Sequence, residues 1–286
     1  MSFFRVMKAE VVRSFIIMRR YWFRTLTGMV IGYGMLMVLI AGFIYSKGGA
    51  GDKISQFDNP AAATNFVLGF IIGMFAFGVV GMFTQGLQSM ATTGVLEQLC
   101  MSPHGLAVNF MAQTMVGAVS TIISSGILVY AVTWSVGGML HWDMFPILVL
   151  LTLTFFNLVG FGFMVGGLVL VFKQVGQIAI IVRMVLFALA VFAREEILNQ
   201  PWPLRLFLHM LPITDATISI KYVLSGGQMV EKITASGETI QEFSSVFTHP
   251  SFYWLIASCI VWTVVGLTVF RILEDYSRSK GTLGSY

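Results

Sequence analysis

Charge is what this chain has least of: only 10% of its 286 residues are Asp, Glu, Lys or Arg. A water-soluble domain carries about 25%. With 57% hydrophobic residues besides, the chain has too little polar surface to face water, and its class is integral membrane. Nucleic-acid binding calls for a basic face exposed to water. The one basic segment here adjoins an apolar run, so it points to a membrane surface, and no nucleic-acid partner is expected. Cysteine is as scarce: Cys100 and Cys259 fall in separate regions and suggest no disulfide framework. No glycine-rich phosphate loop ending in Lys-Ser or Lys-Thr occurs, and Gly48-Gly49-Ala50-Gly51 lacks the lysine. His104, His141, His209 and His249 are isolated, without metal-ligand spacing. Glu195 and Glu196 are adjacent, which on a helix turns them about 100° apart and makes a poor acid–base pair. No serine or cysteine sits in a nucleophile motif. The chain is therefore read as neither an enzyme nor a holder of ATP, metal or another cofactor. A cleavable leader is not expected either, because the first 24 residues are too basic and the apolar run behind them is long enough to stay as a span.

What the chain does have is apolar runs. A span needs about 20 mostly apolar residues, and six segments qualify: 27–45, 66–83, 106–134, 145–172, 178–193 and 252–270. The third is over-long and calls for tilt or an extension past the bilayer. The fifth is short and interrupted by Arg183. No Asp or Glu lies inside any of the six. Orientation follows from Lys and Arg in short flanks. Arg5, Lys8, Arg13, Arg19, Arg20 and Arg24 precede the first span, Lys173 lies between the fourth and fifth, and Arg271, Arg278 and Lys280 follow the sixth. Six spans place all of them on one side, assigned to the cytoplasm, with both termini inside. The long 194–251 stretch then lies outside.

Residues 1–26 read as an amphipathic interfacial helix. Phe4, Met7, Val11, Phe15, Met18 and Trp22 recur at three- and four-residue steps, with arginines roughly opposite. Such a helix lies flat on the bilayer, its basic side toward anionic headgroups, so membrane lipid is an expected partner. Within the spans, Gly28 and Gly32, Gly69 and Gly73, and Gly162 and Gly166 form small-xxx-small pairs that let helices approach closely. Gln113, Thr114 and Asn157 are in-span polar residues suited to hydrogen bonds between helices. Arg183 is the sharpest single residue, with no acid in any span to pair with. A charge there either faces a cavity or a protein interior, or snorkels to the inner headgroups roughly 8 Å away.

Two segments carry more specific signals. Gly94-Val95-Leu96-Glu97-Gln98-Leu99-Cys100-Met101-Ser102-Pro103 lies in an inner loop without Lys or Arg. Gly94 ends one helix and Pro103 stops the next. The piece between reads as a short helix with Glu97 exposed, of the kind that docks into a groove on another protein. On the outer side stand Pro201-Trp202-Pro203, Leu211-Pro212-Ile213-Thr214 and Gly226-Gly227. In this order and spacing the segments resemble those of ABC type-2 exporter permeases. The inner loop looks like their coupling helix, the outer segment like their re-entrant hairpin before the last span, and the tail from Leu273 to Tyr286 like tails seen in some of them. Many relatives have a histidine where this chain has Asp215.

The resemblance implies an all-α fold with six transmembrane helices, an N-terminal interfacial helix and a re-entrant hairpin in 194–251. It implies a dimer of permease chains, expected to be identical, paired with separate ATPase subunits that bind the ATP and Mg. The coupling residues are then Gly94, Leu96, Glu97, Gln98, Leu99 and Pro103. The expected pathway residues are Arg183, Asn157, Phe75 and Phe187, the second and fifth spans lining the path. Pro201, Pro203, Pro212 and Asp215 would form the outer gate. The setting implied is the plasma (inner) membrane of a prokaryote. The rival readings are an ion-gradient-driven transporter or channel, which calls for paired acids or a polar filter inside the membrane, and a non-transporting scaffold.

Overall fold

The structure is a computed structural model that describes residues 3–46, 60–95, 99, 105–136, 144–171, 176–193, 201–224, 229–233, 239–243 and 245–279. Its elements in chain order are α1 (Phe3–Arg20), α2 (Trp22–Ser46), α3 (Pro60–Thr92), α4 (Gly105–Val136), α5 (Met144–Val171), α6 (Gly176–Phe192), α7 (Trp202–Met210), α8 (Thr214–Leu224), β1 (Met229–Ile233), β2 (Thr239–Phe243), a 3-10 turn (Val246–Thr248) and α9 (Pro250–Ser279). Helix dominates for a physical reason. In hydrocarbon every backbone N–H and C=O must be satisfied within its own segment. Among the described residues four helices are long and apolar enough to cross a membrane, in α3, α4, α5 and α9. Two shorter apolar stretches lie in α2 and α6.

Several boundaries differ from the sequence reading. The first helix breaks at Tyr21, so 22–26 belong to α2 and not to the interfacial helix. α3 runs nine residues past position 83, because Thr84–Thr92 contains no proline to stop it and its polar side chains tolerate the interface. The all-helical expectation also misses one element, the antiparallel hairpin β1–β2, paired from Met229↔Phe243 to Ile233↔Thr239. Met-Val-Glu-Lys-Ile and Thr-Ile-Gln-Glu-Phe mix polar and apolar residues around five intervening residues with a glycine, a hairpin signal in its own right.

α3 and α5 form the centre: 72% and 61% of their apolar windows are buried, against 12% in α4 and 22% in α9. α5 lies between α3 and α9, and its glycines divide the two faces. A Cβ on Gly162 would strike the Phe83 ring, and one on Gly166 would meet Leu87 of α3 at 2.9 Å. On the other face, a Cβ on Gly160 would lie 2.5 Å from the Trp262 backbone, and one on Gly266 would fall on the Gly160 carbonyl. α5 and α9 thus touch backbone to backbone, the approach that replaces hydrophobic driving force inside a membrane. Phe83, Phe110, Phe163 and Phe270 close the centre edge to face, with ring centroids 4.8 to 5.2 Å apart along the chain of contacts. The outward stripe Val119, Ile123, Ile127, Tyr130 and Trp134 of α4 is exposed within the chain. So are Val11 and Phe15 of α1.

Candidate functional site

The contact between α3 and α6 gathers two of the expected pathway residues, Phe187 and Arg183. The two helices run antiparallel, and glycines of α3 seat large groups of α6. Gly69 lies under the Ala190 carbonyl, Gly73 under the Phe187 ring and Gly81 under the Arg183 guanidinium. Added Cβ atoms there would meet those groups at 2.8, 2.9 and 3.1 Å. Phe187 stands edge-on to Phe70, centroids 5.0 Å apart at 88°. Phe75 is not part of this contact: it is buried elsewhere on α3, facing a hollow whose described walls come from α3, α4, α5 and α8.

Arg183 is 4% exposed. Its Nε donates to the Phe77 carbonyl at 3.2 Å, and its guanidinium lies 3.7 Å from the Phe77 ring centroid. Gly81 leaves that carbonyl uncovered, so it accepts a side-chain hydrogen bond from across the helix contact. One terminal nitrogen, Nη1, has no partner among the described residues. The cation is thus turned into the α3–α6 seam and partly compensated by a carbonyl dipole and a π face, a placement that uses protein interior as solvent. Asn157 is not part of this group. Its Nδ2 donates to the Ser258 hydroxyl at 3.1 Å and ties α5 to α9. Thr114 bonds inside its own helix, to the Phe110 and Met111 carbonyls at 3.0 Å each, rather than to a neighbour. A hydroxyl can fold back on the preceding turn when no acceptor faces it.

The second cluster is at α7, α8 and the start of α9. Pro201 caps α7 and Pro203 sits in its first turn, both exposed; Pro212 is buried in the turn to α8. Asp215, 2% exposed, opens α8 and faces His209 near the end of α7. His209 Nδ1 lies 2.8 and 3.0 Å from the two carboxylate oxygens. A carboxylate only accepts, so Nδ1 carries the hydrogen and donates. The imidazole stacks on Trp254 of α9, centroids 4.7 Å apart at 5°. The Trp262 indole N–H donates to the Met210 carbonyl at 2.7 Å. Burial raises the Asp215 carboxyl above its ordinary range, and the His209 hydrogen bond opposes that rise. α7 and α8 are therefore clasped to each other and to α9 by a buried polar pair that sequence reading did not assemble. Its only trace in the sequence is a histidine six residues before an acid.

Lys221 was also missed. Its Nζ donates to the Ala190, Val191 and Ala193 carbonyls at 3.2, 3.3 and 3.0 Å. These are the last carbonyls of α6, where a cation satisfies open acceptors and the helix dipole together. The lysine crosses Gly69 to reach them. One ammonium thus joins α8, α3 and α6.

At the far end of α3, Gly94 has φ +73° with open space around its missing Cβ. The Thr93 amide bonds back to the Ser89 carbonyl at 3.1 Å, and the left-handed glycine then ends the helix. Gly94→Ala is expected to cost about 1 kcal/mol, read as a small drop in thermal midpoint of the purified protein. Leu99 is half-buried and leans on the core. Leu96, Glu97, Gln98 and Pro103 lie outside the described residues, as do Gly226-Gly227. Among the described residues no group of His, Cys, Asp or Glu is arranged to hold a metal.

A stack of long apolar helices, seated on one another through glycines and carrying a buried arginine in one seam, marks a multi-pass membrane protein. The chain belongs to the ABC-2 type transporter family, whose model matches residues 5–224, from the first turn of α1 to the end of α8. It is a permease of that kind, a membrane family that generally works with an ABC ATPase. No curated protein and no solved structure shows significant similarity to it.

Proposed function

We propose that this chain is the permease subunit of an ATP-driven exporter, working as a dimer of identical chains with two separate ATPase subunits. The observation that carries this is the family match over 5–224. The lack of a phosphate loop in the chain agrees with ATP and Mg being held by the partner. α2 and α6 complete six spans, with both termini in the cytoplasm of a prokaryotic inner membrane. The substrate path follows α3 and α6 at the interface between subunits, past Phe187 and Arg183. α7 and α8 form a re-entrant outer gate, shielded from lipid as irregular backbone at that depth must be.

Gly94–Pro103 is the segment the ATPase grips, and Glu97 is its one charged residue. α3 has 33 residues, so it reaches about 50 Å at 1.5 Å per residue. It ends at Thr92, beside Gly94 at the coupling end, and carries Gly69 beneath Lys221 toward the gate end. A displacement at one end therefore reaches α6 and α8 through side chains already in contact. ATP drives the change only by binding one state of the assembly more tightly than the other. Glu97→Arg tests the reading. The permease is expected to stay in the membrane but to lose co-purification of the ATPase and ATP-dependent transport. An undiminished ATPase complex, or full transport by this chain alone in liposomes without ATP, would overturn it.

A further inference from the structure

Apart from Arg183, α3 and α6 contain no Asp, Glu, Lys or Arg, and no acid lies inside any of the six apolar runs. A second copy of the chain brings none either. An arginine does not deprotonate in a protein, so the α3–α6 seam holds a full positive charge at 4% exposure. What meets it is one carbonyl, that of Phe77 at 3.2 Å, and one π face. Neither supplies a negative charge, and Nη1 is buried without a partner among the described residues. Burial of a charge is tolerated where it is paired and fully hydrogen-bonded, and this one is neither. The seam is also approachable. Phe77, whose ring lies over the guanidinium, is itself only half-buried. Gly69, Gly73 and Gly81 mark the face of α3 that receives α6. Gln85 and Gln88, four and seven residues beyond Gly81, continue that face toward the Thr92 end, and both are exposed. Their amides donate as well as accept, so a hydrated anion can pass along them without meeting an acid that repels it.

We propose that Arg183 is the binding site of an oxyanion, a phosphate or a carboxylate, that reaches it from the Thr92 end of α3. A guanidinium whose Nε is engaged still offers its two terminal nitrogens as a fork, and two oxygens on one phosphorus or carbon match that fork. The ligand brings the negative charge that the chain leaves out. An anion of this kind comes from the exported molecule or from a lipid headgroup. Assigning it to the exported molecule rests on the reading of α3 and α6 as the path; the site itself does not.

The test is the thermal midpoint of the permease in dodecyl maltoside and phosphate-free buffer. Phenyl phosphate, phosphatidylglycerol or sodium chloride of equal ionic strength is then added. Phenyl phosphate is expected to raise the wild-type midpoint by about 5 °C at about 100 times its Kd, and sodium chloride is not. Arg183→Met is expected to lose that rise. Without anion its midpoint should equal or exceed the wild type, because an apolar side chain replaces an uncompensated charge. Arg183→Lys keeps the charge and loses the fork, so its rise should be smaller. A rise with phosphatidylglycerol and none with phenyl phosphate supports the site, assigns it to a headgroup and overturns the assignment to the exported molecule. No rise with either phosphate, or an equal rise in Arg183→Met, overturns the site. So does an Arg183→Met that unfolds or melts well below the wild type without anion, since Arg183 is then a structural tie between α3 and α6. The measurement needs no ATPase, whereas the exporter reading stands or falls on ATPase capture, so the two failures are told apart.

Discussion

Gly266→Leu is expected to leave almost no folded protein in detergent extracts, while Gly28→Ala is expected to leave the thermal midpoint unchanged. Both glycines lie in apolar helices and look alike in the sequence. A Cβ on Gly266 would fall on the Gly160 carbonyl, and Gly160 itself sits against the Trp262 backbone. No rotamer relieves a clash with backbone, so α5 and α9 have to separate. Separation breaks the Asn157–Ser258 hydrogen bond and the Ser277 hydroxyl's bond to the Leu170 carbonyl as well. Overpacking a tight core costs about 1–3 kcal/mol and occasionally more; here the contact is main chain on both sides, which puts Gly266→Leu at or above the upper end. Gly28 has open space where its Cβ would be. Size-exclusion fluorescence after a temperature ramp reads both variants. A wild-type midpoint for Gly266→Leu would mean that α5 and α9 do not meet as described.

Asp215→Ala is expected to be nearly as damaging, and His209→Leu with Asp215→Leu together much less so. Removing one partner of a buried pair leaves the other without compensation and costs about 3–5 kcal/mol, whereas replacing both by apolar residues is often neutral. His209 and Asp215 are 1% and 2% exposed, so water cannot take the place of the lost partner. Asp215→Asn keeps an acceptor for the imidazole N–H and should fall between. Thermal midpoints of the two single variants and the double variant form a cycle, with Trp254 fluorescence reporting its stacked neighbour. Additive single effects would show that the two side chains do not act as a pair. If α7 and α8 are the outer gate, the single variants should also leak substrate before they unfold, because the clasp holds both helices against α9.

Much of this protein was readable before any coordinates. Scarce charge and long apolar runs mark a membrane chain, and the runs at 66–83, 106–134, 145–172 and 252–270 overlap the four helices long enough to cross. Apolarity and length are properties of a segment by itself. Gly94 was legible for the same reason: a glycine behind a helix is a local stop signal, and its φ of +73° realises it. The hairpin β1–β2 was local too, but was lost in a segment read whole as loop and re-entrant helix.

What stayed hidden is everything that depends on how helices are rotated about their axes. The sequence offered Gly162 and Gly166 as one seam, but left unsaid that Gly160 and Gly266 make another, because Gly266 is a hundred residues away and pairs only after α5 and α9 align. It marked Arg183 as costly, but not that Gly81 and Phe77 of α3 would receive it. It listed His209 among isolated histidines, although the turn at Pro212 folds it onto Asp215. Sequence alone determined that this chain belongs in a membrane and roughly where its four longest apolar helices lie, since hydropathy is summed residue by residue. The tertiary structure alone decided which faces meet, since that is fixed by shape and hydrogen-bond partners brought together from distant parts of the chain.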